Sequence, residues 1–193
     1  MASENILLKV GDKAPDSALT NTAGASVHLS DYWQKQPVVI VFLRHFGCTF
    51  CRQHVAMLRR DYKQFQDAGA EILCVGMGIA QVGRGFEILM DTKFPTLVTG
   101  ENNLPYQEYG LRKASLGQIF GLRSFVKALK ATFQGYVGTS VQGDPYQMPG
   151  VFIVDQSGIL RYVHYYDDIA DTPENSDLVN VVNSIKPSLT AAS

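Results

Sequence analysis

Net charge, cysteine, tryptophan and long apolar runs are all scarce in this chain. The formal charge is -1, from 17 basic and 18 acidic residues interspersed along 193 positions. That balance sets up no long-range field, which excludes the strongly basic surface that nucleic acid or an anionic membrane face recruits. The longest apolar run, Val38 to Leu43, falls far short of the ~20 residues a membrane span requires. The opening "MASENILLKVGDKAP" has neither a basic start nor an extended apolar stretch, so a cytoplasmic protein without a membrane partner is expected. Only three cysteines are present, too few for a disulfide scaffold. In a reducing compartment, two that lie close together point instead to catalysis, redox sensing or metal binding.

What is present is a full-sized core. The chain is 46% hydrophobic, enough for one globular domain spanning 1–193, and no repeat, linker or low-complexity segment divides it. "SALTNTAGASVHLSDYW" carries short β runs about a glycine turn, an N-terminal hairpin followed by a short helix from about Leu29. "PVVIVFL" lacks polar alternation and is filled by β-branched and aromatic residues, as a strand covered on both faces would be.

Beyond it the period becomes 3.6. Cys51, Val55, Leu58, Tyr62 and Phe65 share one stripe, Arg52, Arg59, Lys63 and Gln66 fall opposite, and Gly69 closes the helix. "AEILCVGMG" is a buried strand, "AQVGRGFEILMD" a weaker helix broken by Gly83 and Gly85, and "FPTLVTG" a further strand. Residues 111–147 read as an insertion, with a helix-like piece from Ser115 to Phe133 that brings Phe120, Phe125 and Phe133. "GVFIVD" and "ILRYVHYY" form a hairpin across "QSG", and "ENSDLVNVVNSI" is a last helix capped near Thr172 with Pro173 at or near its first turn. This alternation predicts an α/β fold, helices packed around a mixed sheet.

The chemistry concentrates where the first buried strand gives way to a helix. In "VVIVFLRHFGCTFC", Cys48 and Cys51 fall at a helix N-terminus, whose unpaired N–H groups and macrodipole favour a thiolate. Residues three apart on a first turn lie within disulfide range, so the pair can cycle between dithiol and disulfide with little backbone movement. Arg44, His45 and His54 lie close in sequence and could tune a thiolate, although each equally fits an ordinary surface side chain. Cys48, Cys51 and His54 fall short of the four ligands of a structural zinc, because no second Cys or His pair follows at suitable spacing. Cys74 fits a packed strand residue. Cys51 shares the apolar stripe and is expected to face the core, whereas Cys48 precedes the stripe and is expected nearer solvent. Periodicity therefore favours Cys48 as nucleophile and Cys51 as resolving thiol.

These residues carry a resemblance. "VFLRHFGCTFC" is similar to the active-site strand and loop of the AhpC/TSA, or peroxiredoxin-like, branch of the thioredoxin superfamily, where Phe-Tyr-Pro-x-x-x-Thr-x-x-Cys is found. Phe42 matches the Phe and Cys51 the peroxidatic cysteine, so the resemblance places attack on Cys51. "GDKAPDSALTNTAG" resembles the family's opening, and "MPGVFIVDQSGILRYVH" its late strand pair. Cys48 stands where the family has Thr, Arg44 where it has Pro, and Pro149 where an Arg is usual. In exchange the chain has the C-x-x-C of thioredoxins, and Met148-Pro149 resembles their cis-Pro, which faces the dithiol. The closest resemblance is to the C-x-x-C group that includes the prostamide/prostaglandin F synthases.

The resemblance implies a thioredoxin fold: a central mixed β-sheet flanked by helices, with an N-terminal β-hairpin and an inserted helical segment before the late strand pair. It implies a thiol-disulfide oxidoreductase or peroxiredoxin-like antioxidant enzyme. Cys48 and Cys51 would reduce a disulfide, peroxide or other small oxidant, supported by Pro149, Arg44, His45 and His54. No cofactor is expected, since the sulfurs carry the two electrons. Thioredoxin or glutathione is the implied reductant, and a homodimer is an admissible assembly. A function of another class also fits, a redox-silent thioredoxin-fold binding module whose insertion recognises a partner.

Overall fold

The computed structural model describes residues 7–100, 102–114, 144 and 146–185. Strands β1 (Ala18–Asn21) and β2 (Ser26–His28) form the expected hairpin, with Leu19 opposite Val27, and helix α1 (Ser30–Trp33) follows. The central unit is β3 (Val38–Phe42), α2 (Thr49–Ala68), β4 (Glu71–Gly76), α3 (Ala80–Met90) and β5 (Thr96–Val98). After the short α4 (Leu104–Glu108) the chain ends in β6 (Gly150–Val154), β7 (Leu160–Tyr165) and α5 (Asn175–Ile185).

The described strands form one seven-stranded sheet in the order β2-β1-β5-β4-β3-β6-β7. Strands β3, β4 and β5 run parallel, joined by the helical crossovers that parallel pairing demands. The remaining pairs are antiparallel. All of β3 is buried, and its side chains alternate between two cores. Val39 and Val41 meet Leu58 and Phe65 of α2 and Leu178 of α5, while Val38, Ile40 and Phe42 meet Trp33, Tyr106 and Tyr109. Two apolar coverings explain why the strand shows no polar alternation.

Helix α2 ends as expected. Gly69 adopts φ 85°, a left-handed cap that glycine reaches without strain, and its N–H donates to the Gln66 carbonyl. Helix α3 differs from expectation, because its glycines do not break it. Gly83 is there for close approach, as a Cβ at that position would lie 2.9 Å from Val98 Cγ1. Helix α5 begins at Asn175, with Pro173 two residues before it, near its first turn as expected. The short α4 was not foreseen. The expected helix from Ser115 to Phe133, most of the proposed insertion, lies outside the described residues. Among the described residues no helix is long and apolar enough to cross a membrane.

Candidate active site

The C-terminal end of β3 delivers the chain into a tight turn over 44–47, and the dithiol follows. Cys48 is the N-cap of α2 with extended backbone (φ -72°, ψ 122°), and Cys51 lies in the first turn. The Cys48 N–H donates to the His45 carbonyl (3.0 Å) and the Cys48 carbonyl accepts from the Arg52 N–H (3.0 Å), which locks Cys48 at the junction of turn and helix. The first turn of α2 contains no acidic residue, so the positive end of a twenty-residue helix is uncompensated beside the sulfurs.

Neither sulfur is exposed. Cys48 is 5% and Cys51 6% accessible, which corrects the expectation that Cys48 stands nearer solvent. The physical reason is the covering. Phe46 from the turn and Phe50 from the helix are themselves buried, and both sulfurs join a cluster with Met148 of the segment before β6 and Tyr166 after β7.

The two thiols differ electrostatically. A hydrogen bond from the Cys51 thiol holds the Cys48 pKa down to about 6, against the cost of burial, with further help from the Cys51 and Phe50 backbone N–H groups and the Arg44 guanidinium. Donating that proton, together with burial, pushes Cys51 well above the ordinary thiol range. The Arg44 backbone N–H nevertheless donates to the Cys51 sulfur at 3.3 Å, and the His45 N–H works in the same direction. The net effect is that Cys48 ionises ahead of Cys51, which keeps its proton. All three cysteines are free thiols. Cys74 is fully buried in β4 opposite Val41, and burial pushes its thiol far up, as suits a packed strand residue.

The other expected residues fare unevenly. Arg44 is half-buried and acts on Cys48 through its charge. His45 and His54 are not surface imidazoles. They are 4% and 2% accessible, and burial lowers their pKa values to about 4 and about 3, so both are neutral at pH 7. Arg52, expected on the polar face, is also buried, and its Nε donates to the Phe46 carbonyl at 3.2 Å, bracing the turn over the sulfurs. Pro149 is buried and borders a groove of about 310 Å³ with Leu111, Met148 and Tyr165. Its resemblance to a cis-Pro does not hold, because no cis peptide bond occurs among the described residues. The segment before it pairs in extended fashion: the Met148 N–H donates to the Arg112 carbonyl (3.0 Å), and Lys113 bridges antiparallel to Gln147.

Two tyrosines escaped the sequence reading. The Tyr106 hydroxyl donates to the Leu43 carbonyl (2.6 Å) and pins the strand end from which the turn departs. Tyr166 packs with the sulfurs, and its hydroxyl meets His54 Nδ1 at 3.1 Å. Neither lies on a periodic stripe, so no pattern signalled them. No group of three metal-ligating side chains occurs among the described residues.

A thioredoxin-like sheet with a C-x-x-C pair at the start of its first long helix defines a thiol oxidoreductase of the peroxiredoxin-like class. The chain belongs to the AhpC/TSA family, whose profile matches residues 10–163. It is 31% identical over 167 residues to a prostamide/prostaglandin F synthase of Xenopus tropicalis, covering 84% of this chain and 80% of the relative. It is 25% identical over 150 residues to the human protein peroxiredoxin-like 2C, covering 73% and 66%. Among solved structures, the peroxidoxin BcpB of Mycobacterium tuberculosis superposes with a TM-score of 0.68 at 14% identity, covering 93% of this chain and 99% of that one, which speaks to the fold.

Proposed function

We propose that the chain is a two-cysteine redox enzyme in which Cys48 attacks the oxidant and Cys51 resolves. With a peroxide, the Cys48 thiolate attacks one oxygen of the O–O bond, forming a sulfenic acid and releasing an alcohol or water after protonation. The Cys51 sulfur then displaces that hydroxyl as water, giving the Cys48–Cys51 disulfide. With a disulfide, the Cys48 thiolate expels one sulfur as a thiol and forms a mixed disulfide with the other, which Cys51 then displaces as a second thiol, leaving the Cys48–Cys51 disulfide. In either case a dithiol reductant, or two molecules of a monothiol, restores the pair. Thioredoxin or glutathione is the reductant that family membership favours. The observation that carries the assignment is the asymmetry of the pair, with the proton held on Cys51 and the helix N-terminus, Arg44 and two backbone N–H groups all acting on Cys48.

Disulfide exchange is the reading that the site residues favour over peroxide reduction. Cys48, Arg44 and Pro149 replace the Thr, Pro and Arg found in peroxiredoxins, so side-chain donors to a bound peroxide are missing there, each worth about 3–4 kcal/mol in comparable oxyanion sites. Turnover of hydrogen peroxide, an organic hydroperoxide and a protein disulfide with one common reductant tests this. Faster turnover of the protein disulfide supports it, and faster turnover of either peroxide overturns it. Failure to lose two thiols reversibly on oxidation would instead point to a redox-silent binding module.

A further inference from the structure

Two buried imidazoles stand near the dithiol, and the reaction above uses neither. They differ in what they have left to offer. His54 already meets the Tyr166 hydroxyl through Nδ1 (3.1 Å). His45 is 4% accessible, and its Nδ1 has no hydrogen-bond partner among the described residues. A buried polar atom without a partner is costly, and its persistence calls for a reason. The backbone supplies the context. The N–H groups of Arg44 (3.3 Å) and of His45 itself both act on the Cys51 sulfur, so the free ring nitrogen hangs from a residue whose main chain is already directed at the resolving thiol.

We infer that His45 is the general base of the resolving step, taking the Cys51 proton on Nδ1 and returning it to the departing sulfur. The inference rests on the roles proposed above for Cys48 and Cys51. In the reduced pair the Cys51 thiol donates to the Cys48 thiolate, which holds the proton in place. Once Cys48 is joined to a substrate sulfur that thiolate no longer exists, and the Cys51 proton has lost its acceptor. With the hydrogen of the neutral ring on Nε2, the His45 Nδ1 presents a lone pair in its stead. The balance then closes. The Cys51 S–H bond breaks toward Nδ1, and the Cys51 sulfur attacks the Cys48 sulfur. The Cys48–substrate S–S bond gives its electron pair to the departing sulfur, which takes the proton from Nδ1. A thiol, the Cys48–Cys51 disulfide and a neutral imidazole result. Burial and the Arg44 charge push the His45 pKa down to about 4, so the lone pair is free at neutral pH and a proton accepted there is readily passed on. The other groups around the turn do not compete as acceptors. Burial keeps Tyr106 and Tyr166 protonated, and the guanidinium groups of Arg44 and Arg52 have no lone pair to offer.

Stopped-flow reaction of the reduced protein with dithiodipyridine separates the two steps, because attack by Cys48 releases one thiopyridone and resolution by Cys51 a second. In wild type the second release should be independent of pH between about pH 5 and 8, where Nδ1 is unprotonated. In His45→Gln the Cys51 thiol must ionise unaided, so the second release should rise about tenfold per pH unit and run about a hundredfold slower at pH 7. The first release should keep, in both proteins, the midpoint near pH 6 that belongs to Cys48, which a merely structural loss of the turn would move. A wild-type second release that climbs with pH, or a variant whose second release stays flat, would overturn the inference, and the wild-type profile decides even where the variant does not fold. Equal slowing of both releases would also overturn it and make His45 a brace of the turn. Release of a single thiopyridone would instead overturn the two-cysteine roles, and the role of His45 with them.

Discussion

The Arg44 backbone N–H donates to the Cys51 sulfur across 3.3 Å, while the Arg44 guanidinium acts through its charge on Cys48. One residue in the turn thus addresses both sulfurs, one by its main chain and the other by its side chain. The arrangement suits a pair that must hold a thiolate first on one sulfur and then on the other. It also ties redox chemistry to the conformation of a four-residue turn that Arg52 and Tyr106 brace from opposite ends.

If Cys48 ionises first, its labelling by limiting iodoacetamide should follow a titration with a midpoint near pH 6, and Cys51 should label only after Cys48 is blocked or at much higher pH. Burial slows both reactions without reversing their order. Peptide mass spectrometry after short labelling at pH 7 checks this, and predominant label on Cys51 would reverse the roles and restore the correspondence with the peroxidatic cysteine.

The same asymmetry has a signature in stability. A thiol whose folded pKa lies near 6, against an ordinary value near 9, binds fewer protons folded than unfolded between those limits. The reduced protein should therefore gain stability as pH rises from 6 toward 9, by about 2–4 °C in melting temperature for each kcal/mol gained. Cys48→Ser should flatten that slope. Melting curves of both proteins under reducing conditions decide, and an identical slope in the variant would exclude a low folded pKa at Cys48.

Acid stability falls to the imidazoles. His45 and His54 resist protonation when folded, with pKa values near 4 and 3, but accept a proton near pH 6.5 when unfolded. The unfolded state then binds more protons below 6.5, so stability is lost as pH drops from 6.5 through 4. Ring resonances of both histidines should stay at neutral-form positions down to about pH 5, where those of exposed imidazoles have moved. A midpoint near 6.5 for His54 would mean that it is far better solvated than its 2% accessibility implies.

Much of this site was legible from period alone. Val38 to Leu43 as a two-faced strand, the switch at the cysteines and the closure at Gly69 all follow from local patterns, because each depends on neighbours in the chain. The burial of Arg52 and His54 was not legible. A helix is assigned one apolar stripe on the assumption that its other faces meet water, and the first turns of α2 are covered on several sides by the 44–47 turn and by Ala170 and Thr172. The pairing of Met148 with Arg112 and of Gln147 with Lys113 was not legible either, since those partners are distant in sequence. Gly83 and Gly85 were read as helix breakers because propensity sees the missing side chain and not the strand that needs its space.

Gly76 offers the sharpest test of how the dithiol is covered. A Cβ there would fall 2.2 Å from Phe46 Cζ, with two more ring atoms inside 3 Å, so the phenyl ring lies against bare backbone at the end of β4. That ring also packs on Phe86 at 4.8 Å and forms part of the buried cluster around both sulfurs. Gly76→Ala cannot be accommodated without moving Phe46, and overpacking of this kind costs about 1–3 kcal/mol. Moving the ring should also open the sulfurs, so Cys48 should alkylate several-fold faster in the folded protein than in wild type. Phe46→Ala should open them too, and the double variant should be little worse than Phe46→Ala alone, because the steric conflict disappears with the ring. Additive losses in the double variant, or unchanged alkylation in Gly76→Ala, would mean that Phe46 fills the core without shielding the dithiol.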